Sequence, residues 1–453
     1  MKIHILSNSP RLNSGFSVVA KNLAKGLKQL GHTVTYTGMQ TVDRSEFCQD
    51  IEILPIGVGY IDDTTQYMIT LDRIKPDVVL NIFQADYEYN DFPKMFKKCI
   101  WYVPVEGRNM PQKMANDLLQ VKMNGGEPIA QCQYGQSEMQ SALAGVDIKY
   151  IYHGFDDKIF KPTDLNKKDE ITYCYYRTEN GKANSNPIDL HKFGCYDCHL
   201  SYKERPTCSH YKEEHIAILK FINGKWTEED MPITHLPAIT KGKYVFLFVG
   251  QNLGVRKRIE RLLKAYSIFI GQSKQLKDRT VLHLHTMPIS INGTNLIGII
   301  QNLGLQDNVI FSYGAYRSSG WTDEAMNILY NTADINISAS SSEGFGLATI
   351  ESMACGKPNI GPGCSSFIEL IGDGEKDPNA RGFIASVGEW QMIENSSERF
   401  LVNEQNLALM MKKLYTDGKL RERFSKNAVK FASNYTWEKI CLQWNDLIKK
   451  ITE

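Results

Sequence analysis

The 453-residue sequence predicts an α/β protein with two doubly wound parallel-sheet domains and a Cys/His-rich insert between them. Three observations predict it. Two series of short apolar runs alternate with helix-like segments, the chain is long for a single core, and the stretch between the series lacks apolar periodicity. In the first series Lys2–Ser7 reads as an apolar strand and Ser9–Ser14 as a polar loop. Phe16–Leu30 reads as a helix with Val18, Val19, Leu23, Leu27 and Leu30 at helical spacing. Gly31 caps that helix, a second strand starts at His32, and further strands are expected from Asp77, Cys99, Pro128 and Ile148. The second series opens with KYVFLFVG at Lys243 and continues with strands from Thr280, Asn308, Asp334, Pro358 and Gly382. The expected division is a first domain at 1–160, the insert at 161–241 and a second domain at 242–434. Tyr435–Ile451 carries Trp437, Ile440, Cys441, Trp444, Leu447 and Ile448 on one helical face.

Bulk composition narrows the function classes. Lys and Arg total 52 against 51 acids, a net charge of +1, so no global field recruits nucleic acid or an anionic membrane. No apolar run approaches the ~20 residues that span a bilayer, and the first apolar run is cut short by SNSP, so a cytoplasmic protein is expected. Ten cysteines in such a chain are expected to be thiols rather than disulfides.

The most informative stretch is Ser341–Pro358, SSEGFGLATIESMACGKP. It follows a buried-looking strand and places Glu343 in a loop and Glu351 on the next helix, so that both carboxylates converge on one ligand. Gly344 and Gly346 allow close backbone approach. The Phe345, Gly346 and Leu347 amides are expected in the first turn of the helix, where unpaired N–H groups attract a phosphate. Glu351 then lies between one and two turns on, about 7 Å from that cradle, a distance that suits a ribose. Gly356 reads as the helix C′ residue and Pro358 as its stop.

This segment resembles the E-x7-E signature of family 4 retaining glycosyltransferases, enzymes built from two facing Rossmann-like domains in the GT-B architecture. The resemblance implies transfer of a sugar from a nucleotide-diphosphate sugar, held mostly by the second domain, to an acceptor hydroxyl at the first. It also implies that Glu351 binds ribose hydroxyls, that Glu343 holds donor-sugar hydroxyls, and that the terminal helix packs back on the first domain. In similar enzymes the first βα turn borders the donor phosphates, which makes Gly15 a backbone contact. The loop GQNLGVRKRIERLLKAY places Arg256, Lys257 and Arg258 before an apolar helix, charge that a diphosphate leaving group requires. The family usually has Arg where this chain has Gln251, a departure that costs one charge unless Arg256 turns in to replace it. In CIWYVPVEGRNMP, Glu106 follows a strand end, where it either binds sugar or acceptor hydroxyls or forms an ion pair beside Gly107 and Arg108. His153 reads as a hinge residue. His283 and His285 share one face of a strand, and His285 either touches the nucleotide or packs in the core.

Within the insert, Cys174, Cys195, Cys198 and Cys208 lie among His191, His199, His210 and His215. The Cys195-Tyr-Asp-Cys198 spacing is that of a zinc knuckle, and structural zinc would staple a segment with little apolar core; free thiols are the alternative. This four-thiolate set is one choice among several, and no catalytic metal is expected. A glycan, a protein or a modified nucleic acid all fit as acceptor. An epimerase or hydrolase on the same architecture, or an inactive binding protein, are the other readings.

Overall fold

The computed structural model describes residues 1–10, 14–39, 46–48, 51–55, 64–83, 96–165, 215–254, 256–313, 321–393 and 396–452. Its alternating strands and helices build two eight-stranded sheets. The first contains β1 (Lys2–Asn8), β2 (Thr33–Met39), β3 (Glu46–Cys48), β4 (Ile51–Pro55), β5 (Val78–Ile82), β6 (Cys99–Val103), β7 (Glu127–Ala130) and β8 (Lys149–Tyr150). Their order is β3-β4-β2-β1-β5-β6-β7-β8, all parallel except β3 against β4. Every residue of β5 and β6 is buried, as a parallel sheet covered on both faces requires. The helix Gly15–Gln29 follows β1 because Ser14 caps it, its Oγ accepting from the Ser17 amide, and because Val19, Leu23 and Leu27 bury one stripe.

The second sheet contains β9 (His215–Ile222), β10 (Lys225–Pro232), β11 (Tyr244–Val249), β12 (Thr280–His285), β13 (Val309–Tyr313), β14 (Ile335–Ile337), β15 (Asn359–Pro362) and β16 (Gly382–Ala385). Its order is β10-β9-β13-β12-β11-β14-β15-β16, with β9 and β10 antiparallel. A separate hairpin, β17 (Val387–Met392) and β18 (Glu398–Val402), follows directly. Strand order reverses beside β1 in the first sheet and between β11 and β14 in the second. Crevices open at such switch points, and the loops after these strands carry the residues of interest.

The expected insert at 161–241 needs correction at its C-terminal end, because β9 pairs with β13 and extends the second sheet. A tight hairpin joins β9 to β10 through Asn223 and Gly224, both at positive φ. Cys174, Cys195, Cys198 and Cys208 fall outside the described residues. Cys99, Cys132, Cys355, Cys364 and Cys441 are buried free thiols. Among the described residues no helix is long and apolar enough to cross a membrane.

The helix Trp437–Thr452 crosses from the second domain to the first. Its entry is fixed by a bridge in which Phe155 donates to the Tyr435 carbonyl (3.1 Å) and Trp437 to the Phe155 carbonyl (3.1 Å). Trp444 is fully buried edge-on to Tyr102 at 4.8 Å, and His32 Nε2 meets Asn445 Oδ1 at 2.8 Å. At Gly154 a side-chain carbon would stand 2.8 Å from the Trp437 Cα, a backbone atom that cannot yield. Gly154→Ala should therefore destabilise the chain by about 1–3 kcal/mol. Urea denaturation checks this, and an unchanged midpoint would show that the crossing tolerates a methyl group.

Candidate active site

The loop after β14 is shaped by local bonding before any ligand is considered. Ser365 Oγ accepts from the Glu343 amide (3.0 Å), and Ser366 Oγ donates to the carbonyls of Glu343 (3.2 Å) and Phe345 (2.6 Å). The helix then runs Leu347–Ala354 with Gly346 as its N-cap at φ +102°, a left-handed conformation that suits glycine. Phe345 and Gly346 therefore precede the helix instead of lying in its first turn, which corrects the expected cradle; Leu347 is the first helical residue. No side chain caps this end; Thr349 already donates to the Gly346 carbonyl (3.0 Å), and the N–H groups ahead of it are those positioned to attract an anion. At the far end Cys355 and Gly356 (φ +72°) close the helix, with Gly356 donating to Met353 and Lys357 to Ser352.

Arg256 and Lys257, from the loop after β11, reach across the switch point to Glu343. Lys257 Nζ lies 2.5 Å from Glu343 Oε1 and Arg256 Nη1 2.9 Å from Oε2. The two loops are also joined through the backbone, since Ser341 donates to the Arg256 carbonyl from its amide (2.8 Å) and its hydroxyl (3.0 Å). Burial pushes the Glu343 carboxyl up, but the Arg256 and Lys257 charges outweigh it and hold the group at about 2. Burial lowers the Lys257 ammonium from its ordinary value, with Glu343 opposing that shift. Arg258 turns away to Glu260 and to Gln391 of β17, so the basic run divides two to one.

The first domain contributes Glu106 after β6. Glu106 Oε1 is 3.4 Å from Arg256 and Oε2 is 3.1 Å from Arg399 of β18. Its ion pairs thus cross the domain seam, while the neighbouring Arg108 pairs with Glu398. Gly15 lies beside Leu347, where an added methyl would be 3.7 Å from Leu347 Cδ1. Gly344 packs against Pro104 and Gln131 with no room for a side chain.

Glu351 has different surroundings from Glu343. Tyr330 donates to its Oε2 at 2.8 Å, and burial, followed by the nearby Asp323, raises its carboxyl to about 8. Described contacts give the two acids no shared partner; the Gly346–Leu347 helix start lies between them in the chain. Phe345 is buried against Tyr152 and His153, its ring 4.7 Å from the imidazole. His153 is itself bonded to Tyr102 (2.8 Å) and pushed down to about 3 by burial, so it packs beneath the loop. His283 and His285 both meet Ser312 Oγ, at 2.8 and 2.9 Å, and His285 stands 4.5 Å from the Trp321 ring. Gln251 is exposed. Among the described residues no group of His, Cys, Asp or Glu is placed to hold a metal ion.

Sequence reasoning missed Arg399, Glu369 and Tyr330. Glu369 accepts from the Gln133 (3.0 Å) and Tyr134 (2.9 Å) amides, so a second-domain carboxylate occupies the N-terminus of the first-domain helix Gln133–Ala142. A partner 236 residues away leaves no local signal.

Residues 236–431 match a family model described as glycosyl transferases group 1. The matched residues lie within the second half of the chain. A 117-residue stretch is 30% identical to the serotype-specific mannosyltransferase WbdA of Escherichia coli, covering 26% of this chain and 13% of that relative's length. The O-antigen chain mannosyltransferase B of Escherichia coli is 24% identical over 289 residues, 57% of this chain and 69% of the relative. Among solved structures, sucrose-phosphate synthase from Thermosynechococcus elongatus superposes with TM-score 0.64 at 15% identity, covering 100% of this chain and 99% of that one. Anabaena HepE in complex with UDP-glucose gives 0.62 at 15% identity, over 99% and 100%. The structural likenesses establish the two-domain GT-B fold for this chain.

The two acids make opposite contributions to stability. Glu343, held below its unfolded value, stabilises the fold above the ordinary carboxylate range, and that contribution fades as pH falls toward 2. Glu351, held above its unfolded value, favours the fold at low pH and loses that contribution as pH rises toward 8. Glu343→Gln should therefore lower Tm at neutral pH and cease to do so in strong acid, whereas Glu351→Gln should gain on the wild type between pH 5 and pH 9. Melting curves from about pH 2 to pH 9 test both, and parallel profiles would contradict the assignment.

Proposed function

We propose that this chain is a retaining glycosyltransferase that moves a sugar from a nucleotide-diphosphate donor to an acceptor hydroxyl. The observation that carries the reading is the convergence of Lys257 and Arg256 on Glu343 in the loop leading to the uncapped start of helix Leu347–Ala354. Two half-buried cations and a helix N-terminus form an anion site, and a sugar diphosphate presents two phosphates with hydroxyl groups at either end. Lys257 with Arg256 stabilises the diphosphate, the Leu347 amide and Gly346 approach a phosphate, Glu343 accepts from donor-sugar hydroxyls and Glu351 accepts from ribose. Gly15 lines the cleft and His285 borders the nucleotide. The acceptor, a glycan, a protein or a modified nucleic acid, docks mostly on the first domain.

In the step itself, the bond from the anomeric carbon to the diphosphate oxygen breaks while the acceptor oxygen bonds to that carbon on the same face. The leaving diphosphate oxygen takes the acceptor proton, so no enzymic nucleophile is required. Charge growing on the diphosphate is what Lys257 and Arg256 offset, and preorganised groups of this kind contribute roughly 100- to 1,000-fold in rate. Contact between the domains excludes water and protects the donor from hydrolysis. The UDP-glucose complex of HepE and the mannosyltransferase names of the sequence relatives support a nucleotide-hexose donor.

Incubation with a panel of nucleotide sugars should release free nucleoside diphosphate, and Lys257→Met should reduce transfer by about 100-fold or more. A donor converted without an acceptor would point to an epimerase, and full activity in Lys257→Met would remove the proposed role of the ammonium.

A further inference from the structure

The Glu343 loop is gripped from two sides. Within its own domain Ser365 and Ser366 hold it by the hydroxyl bonds described above, and helix Phe367–Ile371 begins at the next residue. From the first domain, Pro104 and Gln131 close on Gly344, and Tyr152 and His153 set their rings against Phe345 at 5.5 and 4.7 Å.

Glu369 lies on that short helix, three residues after Ser366. Among the described residues its carboxylate accepts from the Gln133 amide (3.0 Å), the Tyr134 amide (2.9 Å) and the Tyr152 hydroxyl, and these donors all belong to the first domain. A carboxylate set on two leading amides of a helix is charge-assisted and fixes direction as well as distance. The helix that carries it is itself anchored. Phe367 and Leu370 are buried, Arg381 donates to the Leu370 carbonyl from Nε (2.6 Å) and to the Glu369 carbonyl from Nη2 (2.8 Å), and its guanidinium lies over the Phe431 ring at 4.2 Å. One turn held this way moves as a piece with the serines that precede it, so a shift of Glu369 against the first domain is passed to Ser365 and Ser366 and on to Glu343. Tyr152 joins the two grips, since its hydroxyl donates to Glu369 while its ring meets Phe345.

We propose that Glu369 is a positioning residue for the donor site: by clasping the start of helix Gln133–Ala142 it registers the second domain on the first and seats the Glu343–Leu347 loop, so that diphosphate binding and this interdomain clasp favour each other. This rests on the anion site proposed above. Coupling of this kind is reciprocal, so a diphosphate at the loop tightens the clasp by the factor by which the clasp tightens diphosphate binding. The clasp belongs to the same closed arrangement in which transfer takes place.

The test uses the full chain, with UDP and GDP titrated by calorimetry and amide hydrogen exchange followed at Gln133 and Tyr134 and across Glu343–Leu347. In the wild type a saturating diphosphate should slow exchange at Gln133 and Tyr134 about fivefold, although these amides lie on the other domain. Glu369→Ala should weaken diphosphate binding by a similar factor and speed exchange across Glu343–Leu347, with which Glu369 shares no described hydrogen bond. Glu369→Gln, which keeps one acceptor oxygen, should fall between. Ser366→Ala cuts the same route nearer the loop, and combined with Glu369→Ala it should weaken binding by less than the product of the two single effects. Exchange at Gln133 and Tyr134 that ignores bound diphosphate, or single effects that simply multiply, would overturn the proposal, and a merely structural Glu369 gives both results. The wild-type comparison stands whether or not Glu369→Ala folds. If the wild type binds neither UDP nor GDP, the donor reading is what fails, and loop exchange in the Glu369 variants then decides the coupling: acceleration upholds it and an unchanged rate removes it.

Discussion

Lys257 and Arg256 are largely covered, with side chains 18% and 27% exposed, and carboxylates stand against both. An unpaired charge at such depth costs about several kcal/mol, so the loops after β11 and β14 must stay within bonding distance of one another. That requirement explains the backbone ties between Ser341 and Arg256 and the serine bonds that hold the Glu343 loop. It also explains why these loops flank the switch point of the second sheet, where adjacent strands diverge and leave a space that side chains from both can enter.

The seam between the domains follows the same logic. Glu106 and Glu369 sit on opposite domains, and each satisfies positive groups on the other: Arg256 and Arg399 in one direction, the first amides of helix Gln133–Ala142 in the other. Polar, reciprocal contacts of this kind separate at modest cost compared with an apolar interface. Gly344 against Pro104 and Gly107 against the Glu398 carbonyl set how closely the halves approach.

Local periodicity made the strands and the two-domain division legible, because parallel strands buried on both faces read as continuous apolar runs and the helices between them bury single stripes. Glu343, Arg256 and Lys257 were legible as a group because their loops follow strands in the order a switch point needs. Other features failed for identifiable reasons. The β9–β10 hairpin carried a signal in Asn223-Gly224 after the apolar run IAILKFI, masked by the polar composition of most of 161–241. The start of helix Leu347–Ala354 was misplaced because Gly346 takes a left-handed conformation that spacing alone does not reveal. Arg399 and Glu369 act through partners far along the chain, and side-chain pattern contains no record of which distant backbone will come to meet them.

The crossing helix has a consequence for biosynthesis. Trp444 and Ile448 complete the packing around Tyr102 and helix Gly15–Gln29, elements made hundreds of residues earlier. While the ribosome is still producing the second half, the N-terminal half must wait with an open apolar face, a state exposed to aggregation. Neither half is then an independent folding unit, and separately expressed fragments would each carry an unfilled surface that the other was made to cover.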